Sequence, residues 1–465
     1  MPLKHALAVA LLGSLAGCGA GGTALSLPNS SQATSRTTSS YAVVYNFRGP
    51  PSDGYVPMGG LVSDGSGHLY GITAYGSGNL QTCSGGCGTF FSFDPSSRRE
   101  TVLYSFGRTR RDAQSYPNFI LFHDGSFYGT TQNGGKHDSG TVFKITPPAS
   151  ASGTWNEAII YRFRGPPRDG SYPSQIIIDA SGTIYGAAGA GGPSQKCTLG
   201  CGNVFMLRPP PAGNGEWRET VLHEFAGAPD GAGPSSLTLA PNGTLYGETN
   251  TGGPSSACGN NKGCGTVFAL APSRHGSGWA LSIVHAFRTA KGPKNDGEVP
   301  EGGLTLTSSG TLYGVTAYGG PQTRCYIHGY DWSGCGTFFL LKPTASGDRT
   351  RWTESILYLF KGAPADARAP DNLTFEGRGF YGTSAFGGQG YCNRYWGCGT
   401  LFHLSPPRRD SHWSETMVHS LGGGRSDGWD PGGPVIDEGK DFYGVTMYGG
   451  AYCTFGCGTI YEFRP

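Results

Sequence analysis

The sequence predicts an all-β protein, a seven-bladed β-propeller with four strands in each blade. The first observation is that one pattern recurs seven times at a mean spacing of about 62 residues. The second is that each repeat consists of short phrases of strand-forming residues between turn residues. The third is that the two chain ends hold complementary parts of one repeat, so that a ring can close. The repeats are marked by Tyr-Gly pairs at Tyr70, Tyr128, Tyr185, Tyr246, Tyr313, Tyr381 and Tyr443.

Each repeat contains four strand-type phrases in a fixed order. An apolar phrase such as 60–62 is followed by a Gly-containing turn and then by the strand that carries the Tyr-Gly pair. A Gly-Thr-apolar-aromatic phrase follows, as in 88–91, and after a Pro-containing turn comes an alternating phrase such as 219–225. The phrases are rich in β-branched and aromatic residues, and no stretch keeps a helical period. Four strands per repeat are typical of a propeller blade.

The chain ends favour a closed ring over an open solenoid. Residues 41–47 match the fourth strand of the repeat, yet they precede any first strand. The last repeat stops after its third strand, at 461–463. We therefore expect the N-terminal strand to complete the last blade, which would remove two exposed sheet edges. A solenoid would cap its ends instead.

The composition of the chain limits the classes of function that it can have. The chain has 465 residues, of which 80 are Gly and 32 Pro, with 12% aromatic and 14% charged residues. With 34 basic against 32 acidic residues, no global field attracts nucleic acid, so a nucleic-acid partner is excluded. No nucleophile elbow, phosphate-binding loop or HExxH motif stands in the expected context. We expect no cofactor, and a monomer.

The recurring phrases resemble a known family. They are YGxTxxGG, GTVFK, and YxFxG followed by DGxxP, with the closest match in the second repeat at 127–131 and 140–144. They resemble exported bacterial tandem-repeat proteins that carry the GloVer (Gloeo/Verruco) repeat, and the resemblance spans residues 41–465. It implies the repeat fold and export. It implies no catalytic residues.

The N-terminus resembles the signal peptide of a bacterial lipoprotein. Lys4 and His5 precede an apolar run from Ala6 to Ala16, and Leu15-Ala16-Gly17-Cys18 resembles a lipobox. The resemblance implies removal of residues 1–17 and acylation of Cys18, with 18–40 as a flexible tether and 41–465 as the propeller. The protein would then be anchored to the cell envelope through lipid. An ordinary secretory signal with a fortuitous Cys is the alternative.

Twelve of the thirteen cysteines form six local pairs between the second and third strands of their repeats. An even count, local spacing and an export signal predict disulfides in an oxidising compartment. We expect each short bridge to stiffen its loop rather than to hold the ring together. Zinc is the alternative, but no matching His accompanies each pair, and ligands on different blades would have to meet at one point. The predicted pairs are Cys83/Cys87, Cys197/Cys201, Cys258/Cys264, Cys325/Cys335, Cys392/Cys398 and Cys453/Cys457.

An Asp recurs between the fourth and first strands of all seven repeats, followed by a Pro. We interpret it as a turn residue whose carboxylate accepts local backbone N–H groups. A calcium site is the alternative, but residues on different blades should lie too far apart. In the fourth strand, His223, His285 and His419 take the place of a Tyr, and we expect them to be packing residues. The sequence thus predicts no metal site.

The loops of repeats five to seven are unusually aromatic. In a four-stranded blade the second-to-third and fourth-to-first connections share one face, so these loops can form one patch. Rigid aromatic and Arg side chains on stapled loops suit a binding surface. They could instead pack down over their own blades. The candidate ligand-binding residues are Tyr326, Tyr330, Trp332, Tyr391, Arg394, Tyr395, Trp396, Trp429 and Tyr452.

Three functions are consistent with these features. The first is a binding module that presents a recognition face to an extracytoplasmic glycan or protein. The second is a propeller enzyme acting on glycans, a lyase or hydrolase, with acid and base groups near the central channel; a polar cluster there with perturbed pKa values would favour it. The third is an architectural surface protein.

Overall fold

The computed structural model describes residues 40–76, 83, 85–107, 117–150, 152–211, 215–254, 258, 263–273, 278–288, 296–320, 325, 334–345, 348–377, 379–392, 397–408 and 412–465. In these ranges the chain forms strands and turns without an α-helix. The same ranges accordingly hold no helix able to cross a membrane. The predicted signal peptide, tether and Cys18 lie outside them.

The strands form seven antiparallel sheets that follow one another along the chain. The first strand, β1 (Ser40–Asn46), belongs to the last blade. Blade 1 contains β2 (Gly54–Ser63), β3 (Leu69–Gly76), β4 (Thr89–Asp94) and β5 (Arg99–Ser105). Blade 2 contains β6 (Pro117–His123), β7 (Ser126–Thr131), β8 (Thr141–Thr146) and β9 (Asn156–Arg162). Blade 3 contains β10 (Gly170–Ile178), β11 (Ile184–Gly191), β12 (Asn203–Arg208) and β13 (Arg218–Glu224).

The later blades repeat this order. Blade 4 contains β14 (Ala232–Leu239), β15 (Leu245–Thr251), β16 (Thr266–Pro272) and β17 (Trp279–Ala286). Blade 5 contains β18 (Glu298–Leu306), β19 (Leu312–Tyr318), β20 (Thr337–Ala345) and β21 (Asp348–Leu359). Blade 6 contains β22 (Ala367–Glu376), β23 (Gly379–Gly387), β24 (Thr400–Ser405) and β25 (Ser414–Ser420). Blade 7 contains β26 (Gly428–Pro431), β27 (Ile436–Glu438), β28 (Asp441–Gly449), β29 (Thr459–Arg464) and β1.

The ring closes as predicted. Strand β1 pairs with β29, with Ser40 opposite Arg464 and Asn46 opposite Thr459. The strand begins and ends one residue earlier than the predicted range 41–47. Phe47 follows it and is fully buried in the apolar cluster between blades 7 and 1. The seven-bladed, all-β prediction is confirmed.

Hydroxyl pairs explain the Thr of the repeated motifs. In six blades a hydroxyl of the second strand bonds a Thr hydroxyl of the third strand at 2.8 Å, and both groups are buried. The Gly of the Tyr-Gly pair makes room for an aromatic ring, since a Cβ on Gly71 would lie 2.9 Å from Phe91 Cε1. Each motif therefore joins the middle strands of one blade. The pairs are Thr73–Thr89, Thr131–Thr141, Thr249–Thr266, Thr316–Thr337, Ser384–Thr400 and Thr446–Thr459.

Candidate functional site

One face of the ring carries all six disulfides, and we call it the disulfide rim. It is formed by the connections between second and third strands together with those that lead from one blade to the next. Gly49, on the connection from blade 7 to blade 1, illustrates this proximity, because a Cβ placed on it would lie 3.1 Å from Cys457 Sγ. The pairing prediction is confirmed, since the structure contains the bonds Cys83–Cys87, Cys197–Cys201, Cys258–Cys264, Cys325–Cys335, Cys392–Cys398 and Cys453–Cys457.

The disulfides are part of the core as well as of the loops. The second cysteine of every pair is buried, with at most 1% of its surface exposed. In the apolar cluster between blades 5 and 6, for example, Cys335 is grouped with Phe338 of blade 5 and Phe380 of blade 6. The sulfur atoms therefore also fill space between blades, in addition to the predicted stiffening of the loops. These buried cysteines are Cys87, Cys201, Cys264, Cys335, Cys398 and Cys457, and as buried groups they offer no contact surface to a ligand.

The disulfide loops also bond to the next blade. The carbonyl of Cys457 accepts a hydrogen bond from Val56 N at 3.0 Å, and that of Cys398 accepts one from Asp430 N at 3.0 Å. Val56 and Asp430 both have positive φ, a conformation that costs energy in residues with a side chain. In blade 2, which lacks a predicted cysteine pair, Ser139 O accepts from Tyr172 N in the same way. The rim therefore fixes neighbouring blades against each other.

Three of the nine candidate binding residues lie in the described part of the chain. Tyr391, beside the Cys392–Cys398 disulfide, is 92% exposed. Tyr452 is 44% exposed, and the Arg48 guanidinium lies 5.6 Å from its ring centre. Trp429 is half-buried at the start of β26. The other six candidates, Tyr326, Tyr330, Trp332, Arg394, Tyr395 and Trp396, lie outside the described residues.

A second group of rings lies at the rim ends of the two innermost strands of blade 7 and of blade 1. Trp429 stacks on Tyr448 with centroids 4.5 Å apart, and Tyr55 stacks on Tyr75 with centroids 5.0 Å apart. We call these four residues the inner aromatic cluster. All four are half-buried, and three of them pack on one apolar group formed by Val56, Met58, Ala74 and Met447.

The inner aromatic cluster adjoins the disulfides. A Cβ on Gly423 would lie 3.2 Å from Cys398 Sγ and 3.7 Å from Trp429 Cδ1. Sequence reasoning found Trp429 but missed Tyr55, Tyr75 and Tyr448. A signal was present in the sequence, because Tyr75 and Tyr448 are each the second Tyr of a phrase of the form YGxTxYG. Only the sheet register, however, places Tyr55 opposite Tyr75 and Trp429 opposite Tyr448.

Each boundary between two blades carries a group of polar side chains on the rim side. We call such a boundary, together with its polar group, a seam. At the seam of blades 7 and 1, the Tyr45 hydroxyl donates to Asp53 Oδ2 at 2.9 Å and to Glu100 Oε2 at 3.2 Å. Asp53 also accepts from Arg48 N at 2.8 Å and Gly54 N at 2.6 Å. The repeated Asp is thus the turn residue that the sequence indicates. Burial and, to a smaller extent, the charge of Asp53 together raise the pKa of Glu100 to about 8.

Histidine replaces this Tyr at three seams. His223 Nε2 lies 3.2 Å from Asp230 Oδ2, and His419 Nε2 lies 2.9 Å from Asp427 Oδ2. His285 Nε2 lies 3.3 Å from Asp296 Oδ2 and 3.5 Å from Glu354 Oε1. The interpretation of these histidines as packing residues is incomplete, because each also contacts the seam carboxylate. An alignment of the repeats shows that a Tyr or His and an Asp recur at these positions. How close the two side chains lie follows only from the folded ring.

Four further carboxyl groups lie on or beside the innermost strands of blades 4 to 7. Glu248 and Asp371 are buried, and burial raises their pKa values to about 7 and about 6. Burial and then Asp371 raise the pKa of Asp430 to about 8, and burial, Asp371 and Glu248 raise that of Glu301 well above its usual range. Glu248 accepts from Ser236 Oγ at 2.9 Å. This is a convergent polar group of the kind expected for the enzyme alternative.

The family model described as Gloeobacter/Verrucomicrobia repeat matches residues 21–200 and 158–334. Together these regions cover more than half of the chain. No curated protein matches the sequence.

Solved structures with a similar fold are many and distant in sequence. An ulvan lyase, described as a new family of polysaccharide lyase, has a TM-score of 0.51 at 11% identity over 90% of this chain and 94% of its own. PorZ of Porphyromonas gingivalis, a surface component of the type-IX secretion system, has a TM-score of 0.46 at 13% identity over 87% of this chain and 46% of its own. An aldose sugar dehydrogenase from Streptomyces coelicolor has a TM-score of 0.42 at 11% identity over 92% of this chain and 98% of its own. At these identities the likeness shows the fold alone.

Proposed function

This chain belongs to the Gloeobacter/Verrucomicrobia repeat family, and from that premise we propose that it is a lipid-anchored β-propeller whose disulfide rim binds an extracytoplasmic glycan. The six disulfides indicate an oxidising, extracytoplasmic environment. The lipid anchor and the glycan are the parts that need testing.

The inner aromatic cluster carries the proposal. Its four rings are held by stacking, and three of them also by the apolar group beneath them, so little conformational entropy is lost when a ligand binds. Around it, Tyr391, Tyr452 and Phe455 expose aromatic surface on the same rim. Sugar rings present C–H faces that pack on such surfaces, with hydroxyls left to polar neighbours. Exposed aromatic surface concentrated on one face supports a binding site there.

We expect an array of bacterial and plant polysaccharides to identify a ligand for the full-length protein. Replacing Trp429 by Ala should then weaken binding about 30-fold, since truncating a central aromatic anchor costs about 2 kcal/mol. Tyr391→Ala and Tyr452→Ala change exposed side chains, so they should reduce affinity without lowering the melting temperature. Isothermal titration calorimetry with the array ligand measures all three.

Leu199→Ala is the matched control. Leu199 is 52% exposed on the disulfide loop of blade 3, on the same rim but away from blades 6, 7 and 1. Its removal should leave affinity unchanged. Glycan binding that survives all three aromatic substitutions, or that is lost equally in the Leu199 variant, would contradict the proposed surface.

The anchor is a separate element of the proposal. The full chain should incorporate a clickable palmitate analogue in bacterial cells, and Cys18→Ala should abolish incorporation and release the protein from membranes. Equal labelling of the wild type and the variant would argue against Cys18 as the acylated residue.

The four inner carboxyl groups favour glycan cleavage as a second candidate. A carboxylic acid with a pKa of about 7 or 8 stays protonated near neutral pH and can act as a general acid, as Asp430 could. Against this, Glu248 is bonded to Ser236 and Gly303 N, and Asp371 to Thr383, as structural groups are. Release of reducing ends or unsaturated products from the bound glycan, lost in Glu301→Gln, would support the enzyme.

A further inference from the structure

The seam between blades 4 and 5 differs from the other seams in its donor atoms. We propose that His285, Asp296 and Glu354 bind a divalent zinc ion. His285 lies near the end of β17, Glu354 lies in β21, and Asp296 lies on the connection that enters β18. The site is independent of the inner aromatic cluster and of any glycan.

The distances fit a metal better than they fit hydrogen bonds. One ligand atom from each residue lies within 4.8 Å of the other two. The two nitrogen-to-oxygen distances are 3.3 and 3.5 Å. Ligands bound at about 2.0–2.1 Å around a tetrahedral zinc are about 3.4 Å apart. By contrast, His285 Nε2 and Glu354 Oε1 have no hydrogen-bond partner among the described residues.

The sister seams lack one of the three ligands. Among the seams whose three positions are all described, those of blades 7 and 1, 2 and 3, and 5 and 6 have Tyr in place of His. The neutral phenol there bridges or contacts the carboxylates by hydrogen bonding. At the seam of blades 3 and 4, Leu281 takes the position of Glu354, and at that of blades 6 and 7 Tyr41 takes it. Among these described seams, the one between blades 4 and 5 alone combines an imidazole with two carboxylates.

The surroundings orient the ligands and leave one position open. Arg288 N donates to Asp296 Oδ1 at 2.7 Å, which turns Oδ2 toward the histidine. The His285 ring packs edge-on against Phe287, with centroids 4.8 Å apart. Such second contacts hold ligands in place. The three side chains remain 16–18% exposed, so that water can supply a fourth ligand. One imidazole nitrogen with two carboxylate oxygens suits zinc better than calcium or magnesium.

The test is a titration of the full-length protein, prepared without a histidine tag, disulfide-bonded and stripped with EDTA. Calorimetry with zinc chloride should show one saturable site per chain with micromolar or tighter affinity. Cobalt should give the visible absorption of a tetrahedral site. His285→Tyr copies the seams that have Tyr, and Glu354→Leu copies the seam that has Leu281, so both should fold. His285→Tyr should weaken zinc binding at least ~100-fold, and Glu354→Leu should weaken it at least ~10-fold.

His223→Tyr, at the seam without a third ligand, is the matched control and should leave zinc binding within about two-fold of the wild type. Should either test variant fail to fold by circular dichroism, Asp296→Asn replaces it. Absence of saturable binding to the wild type would overturn the proposal. So would zinc binding that persists in the folded test variants.

Discussion

Deletion of residues 1–47 is expected to abolish cooperative folding of the propeller. Strand β1 supplies the outer strand of blade 7, and Phe47 lies in the core between blades 7 and 1. The Tyr41 ring stacks on His419 at 3.6 Å, and its hydroxyl donates to Asp427 at 2.8 Å. Burial of each large apolar side chain contributes about 1.5–3 kcal/mol, and a domain is stable by only about 5–15 kcal/mol. Losing all of these contacts should therefore remove the whole free energy of unfolding.

Deletion of residues 1–39 is the control for this experiment, because it removes the segment before the propeller and leaves β1 intact. We expect it to melt like the full chain by circular dichroism and calorimetry. A synthetic peptide of residues 40–48 should restore a cooperative transition to the longer deletion, because the open edge of β29 pairs with it. A longer deletion that melts at the temperature of the shorter one would show that ring closure is dispensable.

Features that every blade repeats could be predicted from the sequence. The strand order, the ring closure and the six disulfides follow from phrases that recur within short stretches of chain, because local pairing and turn chemistry set them. The same argument predicts that the aromatic loops lie on one rim, and six of the nine candidate residues in them fall outside the described residues. Trp429 was found in this way.

Features that depend on ring geometry could not be predicted. Tyr55 lies near the Cys453–Cys457 loop only because blade 7 adjoins blade 1. Likewise, His285 and Glu354 belong to the outer strands of consecutive blades, and nothing in the local sequence of either shows that they face each other. The burial of the disulfides between blades and the inner carboxyl groups were missed for the same reason, since the repeat pattern does not show which side chains converge across a blade boundary or near the axis.

Those carboxyl groups predict an unusual dependence of stability on pH. We expect the melting temperature to rise by several degrees when the pH is lowered from 8 to 5. Burial is the main cause that raises the pKa of ten carboxyl groups above the usual values of 3.8 and 4.5, to between about 6 and about 8 where a value is given. They are Asp53, Glu100, Glu219, Glu248, Glu301, Glu354, Asp366, Asp371, Glu415 and Asp430.

The sign follows from proton linkage. Between pH of about 4 and 8 the folded protein holds protons that the unfolded chain has released, so the free energy of unfolding falls as the pH rises. The half-buried His403 opposes this trend, because its partial burial lowers its pKa and its protonation at acid pH favours unfolding. His403 is one group against ten carboxyl groups. Below a pH of about 4 the order reverses, because Asp64 and Asp179 are hydrogen-bonded as carboxylates and have lowered pKa values despite their desolvation.

Asp430→Asn isolates one of these groups. The amide cannot ionise, so the variant should gain stability relative to the wild type at pH 8 and match it more closely at pH 5. Asp94→Asn is the control, since hydrogen bonds from Ser96 and Ser97 lower the pKa of this exposed carboxyl to about 2. Asp94 is ionised in the folded and unfolded states above pH 5, so its replacement should not change how the melting temperature depends on pH in that range. Melting curves in EDTA at pH 4 to 8 measure the three profiles. A wild-type melting temperature that is constant or rises with pH over this range would mean that these inner and seam carboxyl groups ionise freely in the folded protein.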